Sequence, residues 1–271
     1  MAKHTPPFRS RRRFFGHLLG LATIASASYS PKILAETQTA WRVGFLTNYP
    51  PFSFVGRDKH LHGFDFEVVS QLAQSLGMKL HPHAGTMAEL QRLLKAGEID
   101  FIGNQLLMTP ENRREFDFAR PYAVNQLVCV QHEDDHRDFL SLDDLYDRKV
   151  GVLAQTGIAD QVREVIGKGA VAVPHIPDAL HLLAEKKLDA VLEESLIVEY
   201  HIEHERLPIK TTAPFAPPIK IGLAVPKGKA ALQGELNAGI AKLLKDSAFA
   251  AISTRWFGYD VSQNRASPAL V

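Results

Sequence analysis

Two similar α/β lobes, each built round a mostly parallel sheet, are predicted by three features of this chain. From Arg42 onward, short β-prone segments alternate with segments of helical spacing, the pattern of strands joined by crossover helices. The run Leu93-Leu94-Lys95-Ala96-Gly97-Glu98-Ile99-Asp100-Phe101-Ile102 is echoed by Leu182-Leu183-Ala184-Glu185-Lys186-Lys187-Leu188-Asp189-Ala190-Val191, so one helix-turn-strand unit is used twice. Gln126 to Gln131 and Ile219 to Val225 are apolar, β-prone and bounded by charge or proline, which suits them to carry the chain out to a second lobe and back. The expected boundaries are 41–126 plus 226–260 for lobe 1 and 132–218 for lobe 2, with 127–131 and 219–225 as hinge strands.

Taken in order, Arg42-Val43-Gly44-Phe45-Leu46 reads as a strand. It ends in Tyr49-Pro50-Pro51-Phe52, where two prolines forbid further pairing and hold two aromatics at the strand's end. Gly63-Phe64-Asp65 opens a helix that Asp65 is expected to cap; Val68, Val69, Leu72, Ala73 and Leu76 follow at helical spacing and Gly77 closes it. A second helix, Met87 to Ala96, runs into Gly97. Ile99 to Gln105 is then a short buried strand ending in the amides Asn104 and Gln105. Thr109-Pro110-Glu111-Asn112-Arg113 starts a helix with a hydroxyl cap and proline at the first helical position. Lobe 2 begins near Lys149-Val150-Gly151-Val152-Leu153, a strand leading through Gln155-Thr156-Gly157 into a helix with Val162, Val165 and Ile166. Lys229 to Phe257 is helical and closes lobe 1, with Leu232, Leu236, Ile240, Leu243 and Leu244 at helical spacing. Residues 261–271 show no periodic pattern and are expected to form a disordered tail.

A chain of 271 residues with 45% hydrophobic and 23% charged residues is an ordinary globular protein with enough apolar material for a real core. Its net charge of +1 argues against nucleic acid as a partner, because phosphate binding needs a concentrated basic surface. Arg9-Ser10-Arg11-Arg12-Arg13-Phe14-Phe15-Gly16 is the exception, followed by the mildly apolar His17 to Ile24 and the small-residue run Ala25-Ser26-Ala27. Basic, apolar, then small is the order of an export signal, and Ser-Arg-Arg-x-Phe-Phe looks like the twin-arginine type. The apolar stretch is shorter than the ~20 residues a membrane span needs. Residues 1–35 are therefore expected to be cleaved, after Ala27 or Ala35, to leave a free periplasmic protein; a disordered basic tail on a cytoplasmic protein is the alternative. The lone Cys129 cannot form an internal disulfide. There is no Gly-Lys-Ser/Thr phosphate loop, no Gly-x-Ser-x-Gly elbow and no CxxC, so no cofactor is expected.

Tyr-Pro-Pro-Phe, Gly-Phe-Asp, Gly-Glu-Ile-Asp, Thr-Pro-Glu and Asp117-Phe118-Ala119-Arg120-Pro121-Tyr122, in this order and spacing, resemble the family 3 periplasmic solute-binding proteins. The resemblance runs from Trp41 to Gly258 and implies the type II periplasmic-binding-protein fold, a Venus flytrap whose members are polar amino-acid receptors of ABC importers. A cleft for a zwitterion needs an apolar or aromatic wall, donors for a carboxylate and an acceptor for an ammonium group. For the wall, the resemblance places Tyr49 and Phe52 at the cleft, and Met87 where relatives often carry an aromatic or leucine; for Phe52 and Met87 a place in the core is the alternative. For the ammonium, counting from the aspartate of the Asp-Ala-Val strand lands on Glu194, where relatives carry Asp, with Glu193 beside it. For the carboxylate, the helix start at Thr156-Gly157 offers free backbone amides. The chain departs from the family where relatives use an arginine to grip the carboxylate: that position is Asn112, with Arg113 next to it, and the assisting Ser or Thr is Leu107. Asn104-Gln105 argues for a hydrogen-bonding solute and resembles some cystine-binding members.

The resemblance implies a non-enzymatic, monomeric receptor that closes over a small polar, amino-acid-like solute and delivers it to a membrane ABC permease through transient contact. The same module used only as a ligand sensor is one alternative. A dehydratase-type enzyme with Glu194 as general acid is another, for which no acid-base partner is visible.

Overall fold

The strand Ala40–Leu46 is buried on both faces over Val43, Gly44 and Phe45, as a central parallel strand must be. In the computed structural model, which describes residues 40–154 and 156–263, it pairs in parallel with Lys79–Gly85 on one side and Phe101–Leu107 on the other. The expected export signal and residues 264–271 of the expected tail lie outside the described residues. Ile219–Val225 joins this sheet antiparallel to Phe101–Leu107, and its far edge takes Asp117–Phe118 and Ala123–Asn125.

The second sheet has the same plan. Val150–Leu153 lies in parallel between Ala170–Val173 and Ala190–Glu194, and Leu127–His132 adds antiparallel with Ile209–Pro214 beyond it. Each lobe thus has a three-stranded parallel core completed by antiparallel strands.

The two segments expected as hinge strands are integral to the sheets. Leu127–His132 sits inside the lobe 2 sheet and Ile219–Val225 inside the lobe 1 sheet. The reason is that both are buried along most of their length, and buried peptide groups need partners that a sheet interior supplies and an open crossing does not. The chain crosses at Gln126 and again through 215–218, where Pro217 and Pro218 cannot pair.

Helix Phe64–Ser75 differs from expectation at its start. Gly63 takes the cap position at φ 123, and a Cβ there would lie 2.3 Å from the Phe52 carbonyl oxygen, so only glycine fits. Asp65 is instead fully buried in the first turn. Tyr122 Oη donates to its Oδ1 at 2.7 Å, while the Gln105 amide N–H and Asn104 Nδ2 donate to Oδ2. The expected helix from Lys229 to Phe257 is two, Ala230–Leu243 and Ser247–Phe257, the second capped by Asp246. Phe257 and Phe249 pack edge-on against Phe64, with centroids 5.0 and 6.2 Å away, and join the C-terminal helix to the first one.

Val261, expected to open the tail, is part of the folded lobe. Val261 is buried, its N–H donates to Ser253 Oγ at 2.8 Å, and its carbonyl accepts from Val124 N–H at 3.1 Å. Among the described residues, no helix is long and apolar enough to cross a membrane.

Candidate functional site

Strand ends from both lobes deliver the polar groups of the site. Phe101–Leu107 carries Gln105 from lobe 1, and Ala190–Glu194 carries Glu193 and Glu194 from lobe 2. Gln105 Nε2 donates to Glu194 Oε2 at 2.9 Å, a direct bond between lobes. Asn125, the last residue of Ala123–Asn125, donates from Nδ2 to the same oxygen at 2.7 Å. Glu194 Oε1 accepts no hydrogen bond among the described residues.

Tyr49 completes the group. A small antiparallel sheet of Asn48–Tyr49, Ser53–Val55 and Leu61–His62 folds the two prolines into a turn, closed by Phe52 N–H donating to the Tyr49 carbonyl at 2.9 Å. Burial pushes the Tyr49 phenol well up from its ordinary value, the charges of Glu194, Glu193 and Asp65 push it further, and a hydrogen bond with Gln105 opposes them.

Three carboxyl groups here are held high. Burial pushes Glu194 up to about 7, against the stabilising amides of Asn125 and Gln105. Burial pushes Glu193 up to about 8; the Glu194 N–H, 2.8 Å from Glu193 Oε1, opposes this, and the neighbouring Glu194 charge adds to it. Asp65 is pushed up to about 7 by burial alone, with its three donors opposing. None of the ion pairs among the described residues involves these three groups. The arrangement can accept a cation, whose charge would replace the missing counter-ion.

The structure gives the other expected residues these partners. Asn104 is fully buried and faces the scaffold: its Oδ1 accepts from Leu46 N–H at 2.6 Å and its Nδ2 donates to Ser53 Oγ at 2.6 Å. Phe52 is also fully buried, in contact with Tyr49 and Phe257 at centroid distances of 5.1 and 6.1 Å, so it backs the Tyr49 ring from the core. Met87, the first residue of helix Met87–Ala96, is half-buried against the cluster of Leu90, Leu93 and Leu94. Leu107 is half-buried against the main core.

At the departure from the family pattern, Asn112 Nδ2 donates to the Leu107 carbonyl at 2.8 Å, and the Asn112 N–H is capped by Thr109 at 3.2 Å. Arg113 is exposed, donating from Nε to the Met108 carbonyl at 3.1 Å, with its guanidinium 5.7 Å from the Phe118 ring. Thr156 caps helix Gly157–Ile166: its Oγ1 accepts from Ala159 N–H at 3.2 Å and donates to the Leu153 carbonyl at 2.8 Å.

Asn125 was missed by sequence reasoning, although a signal existed. Asn125-Gln126 repeats the Asn104-Gln105 pair at a second strand end, beside the expected crossing.

The L-cystine-binding protein TcyJ of Escherichia coli K12 is 29% identical over 82% of this chain and 84% of its own length. Among solved structures, the unliganded, open L-cystine solute receptor of Neisseria gonorrhoeae matches with a TM-score of 0.70 at 27% identity, covering 84% of this chain and 96% of that one. A histidine kinase sensor domain similar to periplasmic binding proteins matches with a TM-score of 0.64 at 26% identity, over 82% and 98% of the two chains. The family model matches residues 41–259, nearly the whole of the two lobes, and this chain therefore belongs to the bacterial extracellular solute-binding proteins, family 3.

Proposed function

We propose that this protein is a periplasmic receptor that closes over one small, polar, amino-acid-like solute carrying an ammonium group and hands it to an ABC permease by transient contact, as a monomer. The observation that carries the reading is the Gln105–Glu194 bond, which sets between the two lobes a buried carboxylate whose second oxygen accepts no hydrogen bond among the described residues. Tyr49 supplies the adjoining aromatic surface, and the amides at the start of Gly157–Ile166 are the nearest equivalent of the carboxylate grip that relatives obtain from arginine. The relatives' names, cystine-binding among them, support an amino-acid-like solute.

Calorimetry of the mature protein against the common L-amino acids, L-cystine and simple diamines tests the reading. A probe with an ammonium group is expected to bind, and the absence of any such ligand would overturn it. Asn112→Arg is expected to strengthen binding of a carboxylate-bearing probe by about tenfold or more, since a guanidinium offers two parallel donors where the amide here is engaged by Leu107. Unchanged affinity for every carboxylate-bearing probe would remove Asn112 from the site.

Use of the same module as a sensor is the second reading, favoured by the likeness to a histidine kinase sensor domain. Uptake of the identified solute by cells lacking this protein separates the two: uptake falls for a transport receptor and persists for a sensor.

The proposed route outward is twin-arginine export directed by Ser10-Arg11-Arg12-Arg13-Phe14-Phe15. Changing Arg11 and Arg12 to Lys is expected to leave precursor in the cytoplasm. Normal periplasmic yield in a strain lacking the twin-arginine translocase would reject that route.

A further inference from the structure

Asn125 occupies an unusual place: its backbone ends a lobe 1 strand, pairing with Ile219, while its side chain serves lobe 2. Its Oδ1 accepts from Leu196 N–H at 3.3 Å, Ser195 Oγ at 3.0 Å and Gln126 N–H at 3.0 Å. Helix Ser195–Glu205 has no side-chain cap of its own, so Asn125 supplies one across the crossing. Two backbone N–H donors on one atom identify that atom as the oxygen, which leaves Nδ2 as the group facing Glu194 Oε2 at 2.7 Å. Asn125 is 1% exposed, so no water replaces either contact cheaply.

We propose that Asn125 is a positioning residue of the solute site, holding Glu194 by Oε2 from the crossing so that Oε1 is presented to the solute in the open protein as well as the closed one. The inference rests on Glu194 being the solute's acceptor. The two amides on Oε2 then have different lives. Gln105 belongs to the far lobe and loses its 2.9 Å bond when the lobes part. Asn125 lies one residue from the crossing at Gln126, where a hinge rotation displaces atoms least, and keeps its bond. Glu194 is thereby oriented before the solute arrives, and Gln105 adds its donor only on closure, so pre-organisation and closure are divided between two amides.

The titratable groups facing Glu194 are Glu193 on its own strand and Tyr49 from the small sheet; Asp65 of the first helix acts on Tyr49. A donor to the ionised carboxylate lowers its titration midpoint, so loss of the Asn125 donor raises it.

The test is the titration of Glu194 in the solute-free, full mature protein, followed by carbon-13 NMR of labelled glutamate carboxyls and assigned with Glu194→Gln. Asn125→Asp keeps an acceptor for Leu196 and Ser195, so the helix stays capped, but it turns an oxygen instead of an N–H₂ toward Glu194 and adds a like charge there, which raises the midpoint further. The Glu194 midpoint is expected to rise by about one pH unit or more, a tenfold change in proton affinity. Asn125→Ala is expected to raise it too and to lower the melting temperature, because the cap is lost as well. A midpoint within about 0.2 of wild type in a folded Asn125→Ala protein overturns the proposal, since that variant removes the donor without adding a charge, and loss of the helix cap lowers the melting temperature without supplying or removing a charge beside Glu194. The titration uses no solute, so its failure is distinct from that of the ammonium reading, which calorimetry on Glu194→Gln decides.

Discussion

Glu194→Gln is expected to weaken binding of a cationic probe such as L-arginine or a diamine by roughly 30- to 1,000-fold, because removing one member of a buried charge pair typically costs ~2–4 kcal/mol. Glutamine keeps the shape and the acceptor for Gln105 and Asn125, so packing is preserved and the change isolates the charge. The pH dependence has a definite sign. Burial holds the free Glu194 carboxyl up to about 7, so at pH 5.5 it carries a proton that a bound cation must displace, and above 7 it does not. Affinity is therefore expected to climb as pH rises through about 7 and then level, with proton release on binding at the acid end. Glu193, held to about 8, titrates against it, so the measured midpoint belongs to the pair. Calorimetry at several pH values checks this, and a probe whose affinity is the same in wild type and Glu194→Gln at pH 8 would remove Glu194 from the site.

Asp65→Ala is expected to produce the largest loss of stability of any single polar substitution here, about 2–4 kcal/mol at pH 5, by stranding the Tyr122 hydroxyl and the Gln105 N–H in the core. Again the sign is opposite to that of an ordinary salt-bridged carboxylate. The folded Asp65 is pushed up to about 7, above its unfolded value of 3.8, so the folded state binds the proton more tightly. Wild-type stability from this group is full below the unfolded value and falls as pH rises toward 7, whereas the alanine variant has no such dependence. The penalty of Asp65→Ala should accordingly be larger at pH 5 than at pH 8. Urea denaturation of both proteins at the two pH values measures it, and a penalty that grows toward pH 8 would mean the carboxylate is better stabilised by its donors than burial penalises it.

Glu194 also shows how far the sequence carried the site. The family resemblance, counted from the aspartate of the Asp-Ala-Val strand, pointed to Glu194 and, through the Tyr-Pro-Pro-Phe turn, to Tyr49; what the sequence itself carried was the strand end and the proline turn, which are local events written in a few consecutive residues. Gln105 was reached the same way, but its neighbour Asn104 was grouped with it on adjacency alone. Successive strand residues face opposite sides, so Gln105 meets Glu194 while Asn104 turns to Leu46 and Ser53.

Arg113 tells the same story from the other side. The sequence marks it as the cation beside a position where relatives carry arginine, yet a helix turns adjacent side chains about 100° apart, and Arg113 lies over Phe118 with its Nε on Met108.

By itself, then, the sequence determined the two α/β lobes and the helix starts at Thr109 and Thr156, all of which depend on periodicity, caps and spacing along the chain. Only the tertiary structure decided that the crossing segments lie inside the sheets, that Asp65 is a buried acceptor instead of a cap, and that Asn125 reaches from one lobe to hold Glu194 in the other. These turn on which buried polar groups meet across 57 to 69 residues of chain, and that pairing is set by the cost of leaving a buried donor or acceptor without a partner once water is excluded.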